Sequence, residues 1–317
     1  LLLATGPWLL PEFRDEEDGR LDLPSAMLCV TAMLALIYGL KHMARDGIGM
    51  QAVAAVVLGL LIGVIFVRRQ KRLLDPMFDL RLFQRREFSA SVAALLFTIL
   101  ALSGTWLMVF QYLQGVRDLS PLGAGLVMLP ATLSQVVASL SVPALSRRVP
   151  TQWLVSGGLI VAAGGFLLMA QVAGGGSLLW LLVGITVMSA GVMPMMVLGT
   201  DLVISSAPPN KAGAASATSE TAAELGMALG IAVIGSVGAA VYRARMIGAM
   251  PDDVPEDLAE VAIDTLGGAL GVVAQLPAVL GTEVHEAARF AFGIAMQTNA
   301  LIGAAIVTAT AIMAARL

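Results

Sequence analysis

The sequence predicts an all-α, polytopic membrane helix bundle, and three observations lead there. Of 317 residues, 58% are hydrophobic and only 13% are charged, about half the charged share of a soluble domain. The mean hydropathy is correspondingly high, at +0.86. The apolar residues fall into continuous runs of about 20, the length a helix needs to cross a bilayer, and not into the alternating runs of about ten that barrel strands show.

Residues 1–10, LLLATGPWLL, open inside an apolar run with no charged leader, so they read as the remnant of a truncated transmembrane helix. Residues 11–23 follow as a mixed-charge, solvated linker, expected on the cytoplasmic side. Residues 24–67 contain two apolar spans, 24–40 and 48–67, and the short KHMARDG between them makes the pair a helical hairpin. The next segment, 68–87, carries Arg68, Arg69, Lys71, Arg72, Arg81, Arg85 and Arg86. Such a run suits nucleic acid, but between two spans the bias of Lys and Arg toward the cytoplasm already accounts for it. No nucleic-acid partner is expected, and the loop is placed in the cytoplasm.

Residues 88–317 divide into spans at 88–110, 121–145, 152–171, 177–200, 213–241 and 291–315, a six-helix half that brings the total to eight complete helices. With the 68–87 loop inside, alternating the spans puts 13 of the 19 Lys and Arg on that side: Arg14, Arg20, the seven above, Arg147, Arg148, Lys211 and Arg316. The orientation is therefore self-consistent. It makes 242–290 external. There Leu258, Val261, Ala262 and Leu266 mark one helical face, Glu256, Asp257, Glu260 and Asp264 the other, and Gly267 and Gly268 are expected to break the segment into a helical hairpin. Its acids read as a solvated face, with guidance of cations as the sharper alternative.

The span at 213–241, GAASATSETAAELGMALGIAVIGSVGAAV, holds the candidate site. Its length is roughly 43 Å at the helical rise, ample for a crossing. Glu220 and Glu224 are spaced i, i+4, which puts both carboxylates on one face, one turn apart. A carboxylate in hydrocarbon costs several kcal/mol, so intramembrane acids face a bundle interior or a watery cavity and mark proton or cation pathways. Desolvation and mutual repulsion both favour a retained proton, the property a proton carrier needs near neutral pH. The plainer alternative is that the acids only accept hydrogen bonds from a neighbouring helix or lie close enough to the interface to be wetted. Gly226 and Gly230, in GxxxG spacing with Ala222 one turn before, form a small-residue ridge for close helix packing.

Other features are subsidiary. Pro130 and Gln135 share one span and Pro194 lies in another, where prolines permit bends and Gln135 can hydrogen-bond within the bundle. Gln135, Trp106 and Phe110 are candidates for lining a substrate cavity, the two aromatics by stacking on an organic cation, with lipid or core packing as the alternative for the aromatics. Trp153 and Trp180, at span ends, fit the interfacial belt. Cys29 is alone and can form no intrachain disulfide. His42 and His285 are expected in loops, with no ligand-like spacing, and neither a metal, a cofactor nor a catalytic constellation is expected. The chain does not read as an enzyme.

Several stretches carry a resemblance: GPWLLPEFRDEEDGRLDL, LLDPMFDLRLFQRREF, SPLGAGLVMLPATLSQ, and above all AGAASATSETAAELGMALGIAVIGSV, followed by the segment with TLGGAL. Together they resemble the 14-helix drug:proton antiporters of the major facilitator superfamily, the multidrug, quaternary-ammonium and methyl-viologen exporters. By that resemblance Glu220 and Glu224 serve proton and cation coupling in the penultimate helix. Some members carry a further acid beside the Glu220 position, where this chain has Ser219, and others an acid in the helix after the LP pair, where it has Gln135. The resemblance also implies that the chain is the C-terminal part of a partial major facilitator fold, with 24–67 the inserted pair and a missing N-terminal six-helix half as partner.

The function expected is proton-coupled efflux of hydrophobic or cationic drugs and biocides across the cell membrane, the inner membrane of a bacterium. Membrane lipid, protons and small hydrophobic or cationic substrates are the expected partners. Two alternatives stand beside it: an exporter of the same fold for a native metabolite, lipid or siderophore, and a non-transporting membrane scaffold or sensor.

Overall fold

The structure, a computed structural model, describes residues 22–46, 49–73, 79–172 and 177–316. The expected helix remnant at 1–10 and nearly all of the linker at 11–23 lie outside these residues. Among the described residues every regular element is helical.

The inserted pair is α1 (Leu23–Asp46) and α2 (Met50–Gln70). The two pack at close range, since a Cβ on Gly59 would lie 2.9 Å from the backbone nitrogen of Leu36. Their outer faces expose apolar side chains such as Leu34, Leu60, Leu61 and Ile65. Lipid is the solvent that fits them. At one end Arg69 donates to Asp22 at 2.9 Å and to Ser25 Oγ at 3.1 Å, while Gln70 donates to Ser25 Oγ at 2.7 Å.

A 3-10 turn, Leu82–Gln84, leads into α3 (Arg86–Gln111), whose last turn widens into a π segment, Tyr112–Val116. The helix stops at Asp118, which adopts a left-handed φ of 53°. Ser120 Oγ then accepts from the Gly123 N–H and, with Pro121 behind it, starts α4 (Pro121–Val127). A 43° bend separates α4 from α5 (Leu129–Leu145). The expected span at 121–145 is thus a broken one, and Pro130 is the cause, because it lacks an N–H and its ring displaces the preceding turn's carbonyl.

Next come α6 (Thr151–Met169) and α7 (Leu178–Ser205), which stays continuous through Pro194. They pack along a glycine seam: a Cβ on Gly158 would lie 2.6 Å from Gly191 O, and one on Gly184 would lie 2.7 Å from Gly165 O. Spacing of seven on both helices lets two antiparallel backbones touch twice. The longest elements are α8 (Ala212–Ile247) and α11 (Ala278–Ala314). With α3, α6 and α7 they bury a core that includes Phe166, Leu113, Leu159, Met188, Met195 and Met296.

Between α8 and α11 lies the expected hairpin, α9 (Glu256–Asp264) and α10 (Leu266–Val273). Three expectations change here. The segment 242–290 contains the ends of two spans as well as the hairpin, because α8 runs to Ile247 and α11 begins at Ala278. The break falls at Thr265, extended at φ −150° and ψ 155°, whose Oγ1 accepts from the Gly268 N–H at 3.0 Å; Gly267 and Gly268 sit in the first turn of α10 instead. Val261, assigned to the apolar inner face, is half exposed, whereas Ala262 and Leu266 are buried. His42 and His285 likewise lie within α1 and α11 and not in loops.

Candidate functional site

Glu220 and Glu224 sit on α8 about two and three turns from its start. Their face of the helix is open: Ala217, Glu220, Glu224, Met227 and Ile231 are all exposed, at i+3 and i+4 intervals. Opposite them Thr218, Ser219, Ala222, Gly226 and Gly230 are buried. The glycines set that contact. A Cβ on Gly226 would lie 2.6 Å from Leu96 O of α3, and at the Gly230 crossing Ser103 Oγ donates to Met227 O at 3.2 Å. On the α3 side, a Cβ on Gly104 would lie 2.6 Å from Gly230 O. The backbone of α8 is therefore held on its closed side, and the two carboxylates project as a neighbouring pair from the other.

Neither acid takes part in an ion pair among the described residues. Two such carboxylates one turn apart on a rigid support can hold a proton, a cation, or each in turn.

The remaining candidates are placed elsewhere. Gln135 Nε2 donates to the buried Ser189 Oγ at 3.2 Å, joining α5 to α7, and beside it Ser134 Oγ donates to Thr186 O at 3.0 Å. The structure thus uses Gln135 between helices. Trp106 and Phe110 stack, with centroids 6.1 Å apart and planes 29° from parallel. Phe110 lines a cavity of about 460 Å³ between α3, α8 and α10, together with Gln111, Gln114, Tyr242 and Leu266; Trp106 does not. That cavity lies at the far end of α8 from the acids, beside Gly235, Gly238 and Tyr242.

Sequence reasoning misses two features of this region. Asp201 is an exposed acid inside α7, which packs beside α8. The expected span stops one residue short of it, at Thr200, although the single charge in GTDLVIS is visible in the sequence. The second is the clamp on the hairpin: Arg243 pairs with Asp264 at 2.6 Å, and the buried Tyr242 hydroxyl donates to Ala262 O at 3.0 Å. No short-range pattern joins residues 20 apart, so nothing in the sequence points to it.

The family model of the Major Facilitator Superfamily matches residues 25–231. A multidrug efflux pump of Mycolicibacterium smegmatis, LfrA, is 37% identical over 314 residues, which are 98% of this chain and 61% of the relative. The methyl viologen resistance protein SmvA of Salmonella typhimurium is 28% identical across 89% of this chain and 57% of its own length. A puromycin resistance protein of Streptomyces alboniger is 30% identical across 78% of this chain and half of its own length. The chain spans about three fifths or less of each of these relatives.

Proposed function

This chain belongs to the Major Facilitator Superfamily, and we propose that it supplies the C-terminal part of a proton-coupled exporter of hydrophobic or cationic compounds. It is a multi-pass protein of the cell membrane and has a transporter's fold, not an enzyme's. The observation that carries the proposal is the open carboxylate pair. In hydrocarbon the exposed face of α8 would leave Glu220 and Glu224 unsolvated. That face therefore turns toward protein and water, and the six helices of an upstream half are the partner that completes the chamber.

The coupling follows from charge. A proton on the pair neutralises a carboxylate, and an organic cation stabilises the ionised form. Binding either ligand weakens the hold on the other by the same factor, which is the linkage an antiporter requires. The support from the relatives is their naming as efflux and resistance proteins.

The test is proton release on binding of a cationic dye to purified, detergent-solubilised protein carrying the upstream helices. Wild type releases protons. Glu224→Gln stays folded and loses coupled dye efflux, and Glu220→Gln impairs cationic more than neutral substrates. If the Glu220→Gln, Glu224→Gln double variant releases protons as wild type does, the pair is structural and coupling resides elsewhere.

A further inference from the structure

At the α2 end of the bundle a cavity of about 740 Å³ opens between the last turn of α2, the link after it and the start of α8. Among the described residues its walls carry three cations, Lys71, Arg81 and Lys211, and one acid, Asp79. Asp79 is already engaged: it pairs with Lys211 at 3.5 Å and its Oδ1 accepts the Arg81 backbone N–H at 3.0 Å. The side chains of Lys71 and Arg81 have no ion-pair partner among the described residues. Two like charges thus face one space, and among the described residues that line it no further acid meets them.

One side of the same cavity is apolar. Val67, Leu80 and Phe83 line it, and Phe83 is held edge-on against the buried Phe88, with centroids 5.2 Å apart. Val67 continues the exposed, lipid-facing flank of α2 that includes Leu60, Leu61 and Val64. A lipid whose chains lie along that flank ends with its headgroup at the level of Lys71. The Asp79–Lys211 pair ties the wall after α2 to the start of α8, and nearby in sequence Arg85 donates to Ser206 O at 3.3 Å.

We propose that this cavity binds the phosphate diester of an anionic phospholipid headgroup, with Lys71 and Arg81 on the phosphate oxygens and Val67, Leu80 and Phe83 against the glycerol and upper acyl chain. A basic pocket between helices at the membrane surface is suited to this chemistry, and Arg81 offers its oxygens a two-pronged donor. A free phosphate shares the anion but has no use for the apolar wall. That wall, continuous with a lipid-facing helix flank, makes lipid the ligand. The site runs from the end of α2 to the start of α8, so a bound headgroup joins α2 to the helix that bears Glu220 and Glu224. The inference stands whether or not those acids couple protons.

The experiment is a titration of phosphatidylglycerol into detergent-solubilised protein carrying the upstream helices, with bound lipid counted by native mass spectrometry. Each lost cation is expected to weaken binding roughly fivefold, so Lys71→Gln with Arg81→Gln should lose roughly twenty-five-fold. The charge-preserving Lys71→Arg, Arg81→Lys variant keeps most of the binding, and Arg316→Gln, at the end of α11, leaves it unchanged. Phosphatidylethanolamine binds more weakly than phosphatidylglycerol, and millimolar inorganic phosphate does not displace the lipid. A double Gln variant that binds phosphatidylglycerol like wild type overturns the site. Equal binding of phosphatidylethanolamine overturns its selectivity for an anion, and displacement by inorganic phosphate overturns the assignment to lipid.

Discussion

Single side chains decide the stability of this molecule where backbones touch and where charges meet at the helix ends. Gly184 of α7 faces Gly165 O and the Met169 side chain of α6 with no room for a methyl group. Gly184→Val is expected to cost roughly 1–3 kcal/mol, the range for overpacking, read as a fall in unfolding temperature in detergent. Gly164→Val, where a Cβ meets nothing within 4 Å, serves as the control and should change little. Asp22 illustrates the second case. Its carboxyl is held below the ordinary 3.8, first by the Arg69 hydrogen bond and then by that from Ser25. A group depressed in the fold stabilises it fully above its unfolded value, and that contribution fades as pH falls through the depressed folded value. The gap in melting temperature between wild type and Asp22→Asn should therefore be full at pH 6 and shrink as pH drops below about 4. A gap that widens on acidification would show that Asp22 is not held by Arg69.

Among the elements, the α9–α10 hairpin depends most on one local device. The two helices have nine and eight residues, too short to persist alone. Their junction rests on the Thr265 cap, and their attachment rests on Tyr242 and on the Arg243–Asp264 pair. Thr265→Ala removes the acceptor for the Gly268 N–H and is expected to cost about 1 kcal/mol, localised to α10. Hydrogen exchange should show faster exchange at residues 266–270, with α8 and α11 unchanged. Uniform acceleration across the bundle would mean that the hairpin is not a separate cooperative unit. The broken α4–α5 span shows the complementary case, in which a proline and not a cap sets the geometry.

At the scale of the whole molecule, the tertiary contacts of charged side chains among the described residues gather at the two ends. Asp22–Arg69, Asp79–Lys211 and Arg85–Ser206 group at one end, while Asp118–His285 and Arg243–Asp264 group at the other. The helices therefore alternate in direction as the span count requires. The excess of Lys and Arg at the first end makes that end cytoplasmic in the reading proposed here. With Cys29 replaced by alanine, an impermeant maleimide added to intact cells should label a cysteine at position 257 and not one at position 84. The reverse pattern would invert the orientation and place Glu220 and Glu224 toward the outside.

Hydropathy and spacing are properties of neighbouring residues, and what depends on them was legible in the sequence: the spans, the pairing of α1 with α2, the basic link, and the placement of Glu220 and Glu224 on one helical face. The resemblance of AGAASATSETAAELGMALGIAVIGSV reached the family before any contact was known. Only the tertiary structure decided who touches whom. It matched the α6 glycines to those of α7, engaged Gln135 with Ser189, and set Lys211 against Asp79. Each of these joins residues about twenty or more positions apart. Their energy comes from close backbone approach and satisfied polar groups across helices, quantities that no local periodicity encodes.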